Sequence, residues 1–156
     1  MNIRHSQAFT LVEIIVVIVI LTIIFSIGAG TFVNTRKARE LETMTDAIAA
    51  KLEQAKSEAI SGKGGSAFGV KFTSSSYTYF KGGSYSSSGA TNMTYPLTDG
   101  YQITASIPAS SDTAIIFARM TGTPVATGTV SISNSASGSK VNIIRIGNLG
   151  DITVIK

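Results

Sequence analysis

The chain has 156 residues and 16.3 kDa, which suits one domain or one small domain with an appendage. Hydrophobic residues make up 44% and charged residues only 14%, against about 25% in soluble domains, so part of the chain is expected not to face water. Cysteine is absent and the single histidine is His5, which excludes a disulfide scaffold, a thiolate zinc site and a cysteine nucleophile and argues against histidine base chemistry. Thirteen Lys and Arg against nine Asp and Glu leave a scattered charge of +4.

The apolar residues concentrate near the N-terminus. Ile14 to Thr35 is a run of 22 residues without a charge, opening on Ile14-Ile15-Val16-Val17-Ile18-Val19-Ile20-Leu21. As a helix it is about 33 Å long, enough for a hydrocarbon core of about 30 Å. Every face is apolar, so it belongs in lipid or inside an assembly. A secretory signal has a shorter apolar region of about 7–15 residues and a small-residue cleavage site, for which only Ser26-Ile27-Gly28-Ala29-Gly30 qualifies. An acid, Glu13, stands directly before the run, where an ionisable group needs a partner.

Phe9-Thr10-Leu11-Val12-Glu13-Ile14-Ile15-Val16-Val17 resembles the N-terminal motif of type IV pilins and type II secretion pseudopilins. The resemblance covers about the first 35 residues. It implies a leader, Met1 to Ala8, removed by a prepilin peptidase that cuts between Ala8 and Phe9 and methylates the new Phe9 amine. Glu13 then becomes the fifth mature residue, the family's assembly acid. Two departures stand out. Ala8 replaces the family's usual Gly before the cut, and Gly28 and Gly30 replace a Pro common in the second half of the anchor. Gly weakens a helix by about 1 kcal/mol relative to Ala and suits either local melting or a close helix contact.

The resemblance implies a structural subunit of a type IV pilus-like filament, with a type II secretion pseudopilin or a membrane-tethered adhesin or DNA-binding minor pilin as alternatives. Its partners would be other pilin subunits, the prepilin peptidase and methylase, an inner-membrane platform protein, an assembly ATPase and membrane lipid. Nucleic acid is not favoured, and no cofactor or metal is implied. In staggered parallel helices the Glu13 carboxylate of one subunit meets the Phe9 amine of a neighbour, which sets the stagger more than it adds affinity. Arg36, Lys37 and Arg39 outnumber Arg4, and taken alone they would keep the C-terminal half in the cytoplasm. Long domains translocate largely regardless of charge, so the leader motif decides for a single-pass inner-membrane subunit that ends in a periplasmic or surface filament.

Past the apolar run, Ala38, Leu41, Met44, Ile48, Leu52, Ala55 and Ala59 recur every three or four residues. This predicts one helix from about Thr10 to Ile60, apolar first and amphipathic later, with its stripe on a sheet rather than in a coiled coil. Gly62 suits the C-terminal cap.

From Ala67 the composition turns to Ser, Thr, Gly, Val, Ile and Tyr. Strands are predicted at Ala67–Thr73, Tyr77–Lys81, Tyr101–Ile107, Ala114–Arg119, Thr129–Ser133, Val141–Ile146 and Ile152–Ile155, the last two joined by a turn at Gly147–Asp151. Ser84–Thr98 reads as an exposed loop. The fold class is therefore α+β: a leader at 1–8, a membrane or filament-core helix at 9–35, its amphipathic continuation at 36–61 and one antiparallel sheet domain at 66–156. Asp99, Asp112 and Asp151 are too isolated for a calcium loop, and without a second histidine or a clustered carboxylate pair no enzyme is expected. Tyr77, Tyr79, Phe80 and Tyr85 suit cross-strand packing better than stacking on DNA or glycan.

Overall fold

The computed structural model describes residues 10–108, 112–134 and 141–156, with the backbone alone over 26–34. The leader at 1–8 and Phe9 lie outside the described residues. Two compact units are present, Met1–Ala38 and Arg39–Lys156.

Helix α1 spans Leu11–Ile60, and its backbone stays helical through Gly28 and Gly30. It stops where the sequence loses side chains. Gly62 adopts the left-handed conformation, φ 65°, and its N–H donates to the Ala59 carbonyl at 3.1 Å. The same carbonyl accepts the Met120 N–H at 2.9 Å, so an orphan acceptor of the last turn is satisfied from two sides.

Among the described residues, eight strands follow a short 3-10 turn at Lys63–Gly65: β1 Phe68–Phe72, β2 Ser76–Lys81, β3 Met93–Pro96, β4 Tyr101–Ser106, β5 Ala114–Phe117, β6 Gly128–Asn134, β7 Val141–Ile146 and β8 Ile152–Ile155. Pairing is antiparallel throughout, as expected, but in two four-stranded sheets rather than one, ordered β3-β2-β1-β5 and β4-β6-β7-β8. The first sheet closes at β5, where Val125 N–H bonds Ile116 O at 2.8 Å and Pro124, which has no N–H, faces Phe117. β4 pairs along its whole length with β6.

The second correction is β3, which occupies part of the expected Ser84–Thr98 loop. It is a four-residue edge strand ending in Pro96, too short to stand out by alternation. The segment before it is folded on itself: Asn92 Nδ2 bonds Ser86 O at 2.7 Å and Asn92 N–H bonds Gly89 O at 3.1 Å.

Within Arg39–Lys156, α1 lays Leu41, Thr45, Ile48, Leu52, Ala55 and Ala59 against both sheets. Val70, Phe72, Ile115 and Phe117 meet it from the first sheet, and Ile103, Val130, Ile132, Ile144 and Ile146 from the second. The predicted helical stripe is the buried one. The hairpin at Gly147–Asp151 also forms, closed by Gly147 N–H on Asp151 O at 3.0 Å.

Candidate assembly surface

The start of α1 is capped locally. Thr10 Oγ1 accepts the Glu13 N–H at 3.3 Å, and Thr10 O accepts Ile14 N–H at 3.3 Å. A Thr followed three residues later by Glu is a capping-box spacing, a signal legible in the sequence. Glu13 therefore sits in the first turn, where the helix dipole favours a carboxylate.

Beyond it, the apolar side chains from Leu11 to Phe25 are between 47% and 76% exposed, on every face of the helix. Glu13 is the only charged residue among them. An exposed apolar surface of this length demands cover. Among the described residues, no helix is both long and apolar enough to cross a membrane. The described side chains of this run end at Phe25, so the expected span over 9–35 lies only partly within them. The predicted processing residues Ala8 and Phe9 lie outside the described residues; the predicted assembly residue Glu13 lies within them.

The second unit holds the other end of α1 through polar contacts that the hydrophobic pattern did not reveal. Tyr79 of β2 donates its hydroxyl to Glu58 Oε2 at 2.7 Å; Gln54 Nε2 donates to Glu58 Oε1 at 3.0 Å; Lys63 Nζ lies 3.0 Å from Glu58 Oε2. Burial acts to raise the Glu58 pKa, but the hydrogen bonds from Gln54, Tyr79 and Lys63 outweigh it and hold the carboxyl below its ordinary value. Burial, and then the neighbouring Glu58 carboxylate, push the Tyr79 phenol well above its ordinary value. Nearer the unit's other end, Lys156 Nζ meets Asp46 Oδ2 at 3.1 Å and Tyr101 hydroxyl meets Glu40 Oε2 at 3.3 Å.

One polar pair is fully buried. Asn142 Nδ2 of β7 donates to Thr45 Oγ1 at 3.0 Å, and Thr45 Oγ1 donates to Leu41 O at 2.7 Å. Among the described residues Asn142 Oδ1 has no partner, although an unsatisfied buried acceptor costs about 1–3 kcal/mol.

The aromatic residues pack on one another. Tyr77 stacks on its cross-strand partner Tyr95 with centroids 5.2 Å apart, Phe68 on Tyr79 at 5.9 Å, and Phe80 meets Tyr85 edge-on at 5.3 Å. Lys51 Nζ lies 4.8 Å over the Tyr95 ring. All four rings singled out in the sequence are thus engaged within the fold: Tyr77 and Tyr79 in the cross-strand packing expected of them, and Phe80 with Tyr85, which lies outside the strands. Asp112 pairs with Lys71 at 2.7 Å, and among the described residues no cluster of three His, Asp or Glu could hold a metal.

Two family models match the chain: the prokaryotic N-terminal methylation motif over residues 3–29 and the type II transport protein GspH over residues 44–150. No curated protein matches it. Among solved structures, it is similar to the type IV minor pilin FimU of Pseudomonas aeruginosa, with 18% identity, TM-score 0.60, and coverage of 77% of this chain and 91% of that one. It is also similar to the minor pseudopilin EpsH from the Type 2 Secretion System of Vibrio cholerae, with 17% identity, TM-score 0.57, and coverage of 74% and 96%. At these identities the likeness establishes the shared fold of a helix packed on antiparallel sheets.

Proposed function

Because this chain belongs to the family of the type II transport protein GspH, we propose that it is a structural, non-catalytic subunit of a pilus-like filament, polymerised through the first half of α1. The observation that carries this reading is the start of α1: apolar and exposed on all faces from Leu11 to Phe25, with one acid, Glu13, in its first turn. The methylation motif over residues 3–29 supports processing between Ala8 and Phe9 and N-methylation of Phe9. The subunit would wait as a single-pass protein of the inner membrane, anchored by residues 9–35, and pass into a fibre outside it.

Lipid and fibre core are about equally apolar, so the transfer is nearly balanced. Pairing of Glu13 with the Phe9 amine of a neighbouring subunit tips it, because a misplaced subunit strands both charges. An assembly ATPase and a platform protein would supply the work of extraction. The description of the matched family favours a secretion pseudopilus as the fibre.

Mass spectrometry of the protein from its native membrane tests the reading. A chain beginning at Phe9 and heavier by one methyl group is expected. An intact Met1, or a cut near Gly30, overturns the processing and with it the Glu13 pairing.

A further inference from the structure

Thr45 and Asn142 are 97 residues apart and form a buried hydrogen bond at the centre of an otherwise apolar interface. Each residue is a poor choice for its element. Asn is disfavoured in strands, yet Asn142 sits opposite Ile132 on the same strand face as Ile144 and Ile146. Thr in a helix interior competes for the carbonyl four residues back, and Thr45 takes the Leu41 carbonyl at 2.7 Å. That bond consumes the only hydroxyl hydrogen, so Thr45 is left as an acceptor, and the Asn142 amide turns its Nδ2 towards it. Asn142 Oδ1 is left without a partner among the described residues. Packing alone would have placed two apolar side chains here.

We propose that the Thr45–Asn142 pair fixes the register of α1 on the second sheet. The remaining contacts of the stripe, Leu41, Ile48, Leu52, Ala55 and Ala59, are apolar and select a position along the helix by side-chain size rather than by hydrogen bonding. Sliding α1 by one turn, about 5.4 Å, exchanges apolar side chains of different size along the stripe. The slip also breaks the contacts at the rim of the interface, Met120 N–H on Ala59 O and Tyr79 on Glu58, whose groups can turn to water, but Asn142 is buried. There the slip removes the only acceptor for Nδ2 and leaves both ends of a buried amide unpaired. A single buried polar contact that lowers stability but selects one alignment is a known device of helix packing. It acts here between a helix and a sheet.

The chain has no cysteine, so spin labels can be placed at will. Glu53→Cys on the outer face of α1 and Gln102→Cys on β4 are both exposed and outside the pair. In detergent micelles the full-length, doubly labelled chain is expected to give one narrow distance by pulsed electron spin resonance. Adding Thr45→Val and Asn142→Leu should keep or raise the melting temperature and introduce a second distance, its population up by about tenfold or more, as the loss of one buried hydrogen bond allows. Thr45→Ser with Asn142 retained, which keeps the hydroxyl, should give the single distance. An unchanged single distance in the double variant overturns the proposal, whatever the melting temperature does. Should the double variant not fold, Thr45→Val alone must show the second distance, because the amide then lacks its acceptor in either register; a single distance there also overturns it.

Discussion

Phe80 fills the space in front of Gly69. The two are cross-strand partners, and the ring's Cζ lies 2.8 Å from where a Cβ on residue 69 would stand. By strand alternation Phe80 points away from the face that carries Tyr77 and Tyr79, yet it is only 1% exposed, because Tyr85 covers it. The first sheet is therefore packed on both faces, by α1 on one and by the Gly82–Asn92 segment on the other. Gly69→Ala should lower stability by about 1–3 kcal/mol, the usual result of overpacking. Shrinking the ring with Phe80→Leu should not rescue it, because the Ile115 carbonyl is 2.7 Å from the same point and is fixed in the β1–β5 ladder. Thermal unfolding in micelles measures both; an unchanged melting temperature for Gly69→Ala would refute the packing account.

The end of α1 gives a second prediction. Gly62 holds φ 65° and lies against Met120, whose Sδ would be 3.3 Å from an added Cβ. Gly62→Ala should cost about 1 kcal/mol through the left-handed backbone, or about 2–4 °C in melting temperature for a chain of this size. Gly65→Ala is a useful contrast, since its φ is similar but nothing lies within 4 Å. A much larger loss at Gly62 than at Gly65 would assign the difference to the Met120 contact.

The Glu58 network predicts a response to pH. Its carboxyl is held below the ordinary 4.5 in the folded chain, so the stabilisation is complete above that value and is lost as pH falls through the folded-state value. Tyr79 has the opposite sign. Its folded pKa is raised above 10.0, so its contribution is complete below that pH and is lost as pH rises further. Tyr79→Phe should remove the hydroxyl's hydrogen bond, costing about 1–2 kcal/mol at neutral pH, and flatten both flanks of the stability profile. Melting curves from pH 3 to 11 for the two proteins make the comparison; parallel profiles would show that the bond does not couple to either titration.

Much of this fold is legible from hydrophobic pattern alone. The stripe from Leu41 to Ala59 is the buried face, and β7 and β8 fall on their predicted residues, because a period of 3.6 or 2 is visible whenever one face is buried. Two features escaped. The division into two sheets rests on pairings between segments distant in sequence, β1 with β5 and β4 with β6, that no local pattern encodes. β3 is a short edge strand whose exposed residues leave no alternation to read. For the assembly surface, Glu13 stands out as the single charge beside an uncharged run. The Thr45–Asn142 and Tyr79–Glu58 contacts do not stand out, since each joins residues distant in sequence and each looks like an exception to its own element.

Glu13 gives the most consequential prediction. Thr10 already satisfies the Glu13 backbone N–H, so replacing the side chain should leave the helix start intact. Glu13→Ala should therefore still be cleaved after Ala8 and still reside in the membrane. Entry into the filament core is a different matter. Without the carboxylate, the Phe9 amine of a neighbouring subunit is carried into an apolar place as an unpaired cation, and breaking a buried ion pair costs about 3–5 kcal/mol. The ratio of fibre-incorporated to membrane-retained subunit should fall by two orders of magnitude or more, at about 1.4 kcal/mol for each factor of ten. Glu13→Gln separates charge from shape, since it keeps the volume and a hydrogen-bonding oxygen but cannot neutralise the amine, and it should fail nearly as badly. Immunoblots of sheared fibres and of the membrane fraction measure the ratio. Incorporation of the Gln variant at the level of the unaltered chain would mean that Glu13 acts by hydrogen bonding alone, and incorporation of the Ala variant at that level would remove Glu13 from the assembly mechanism.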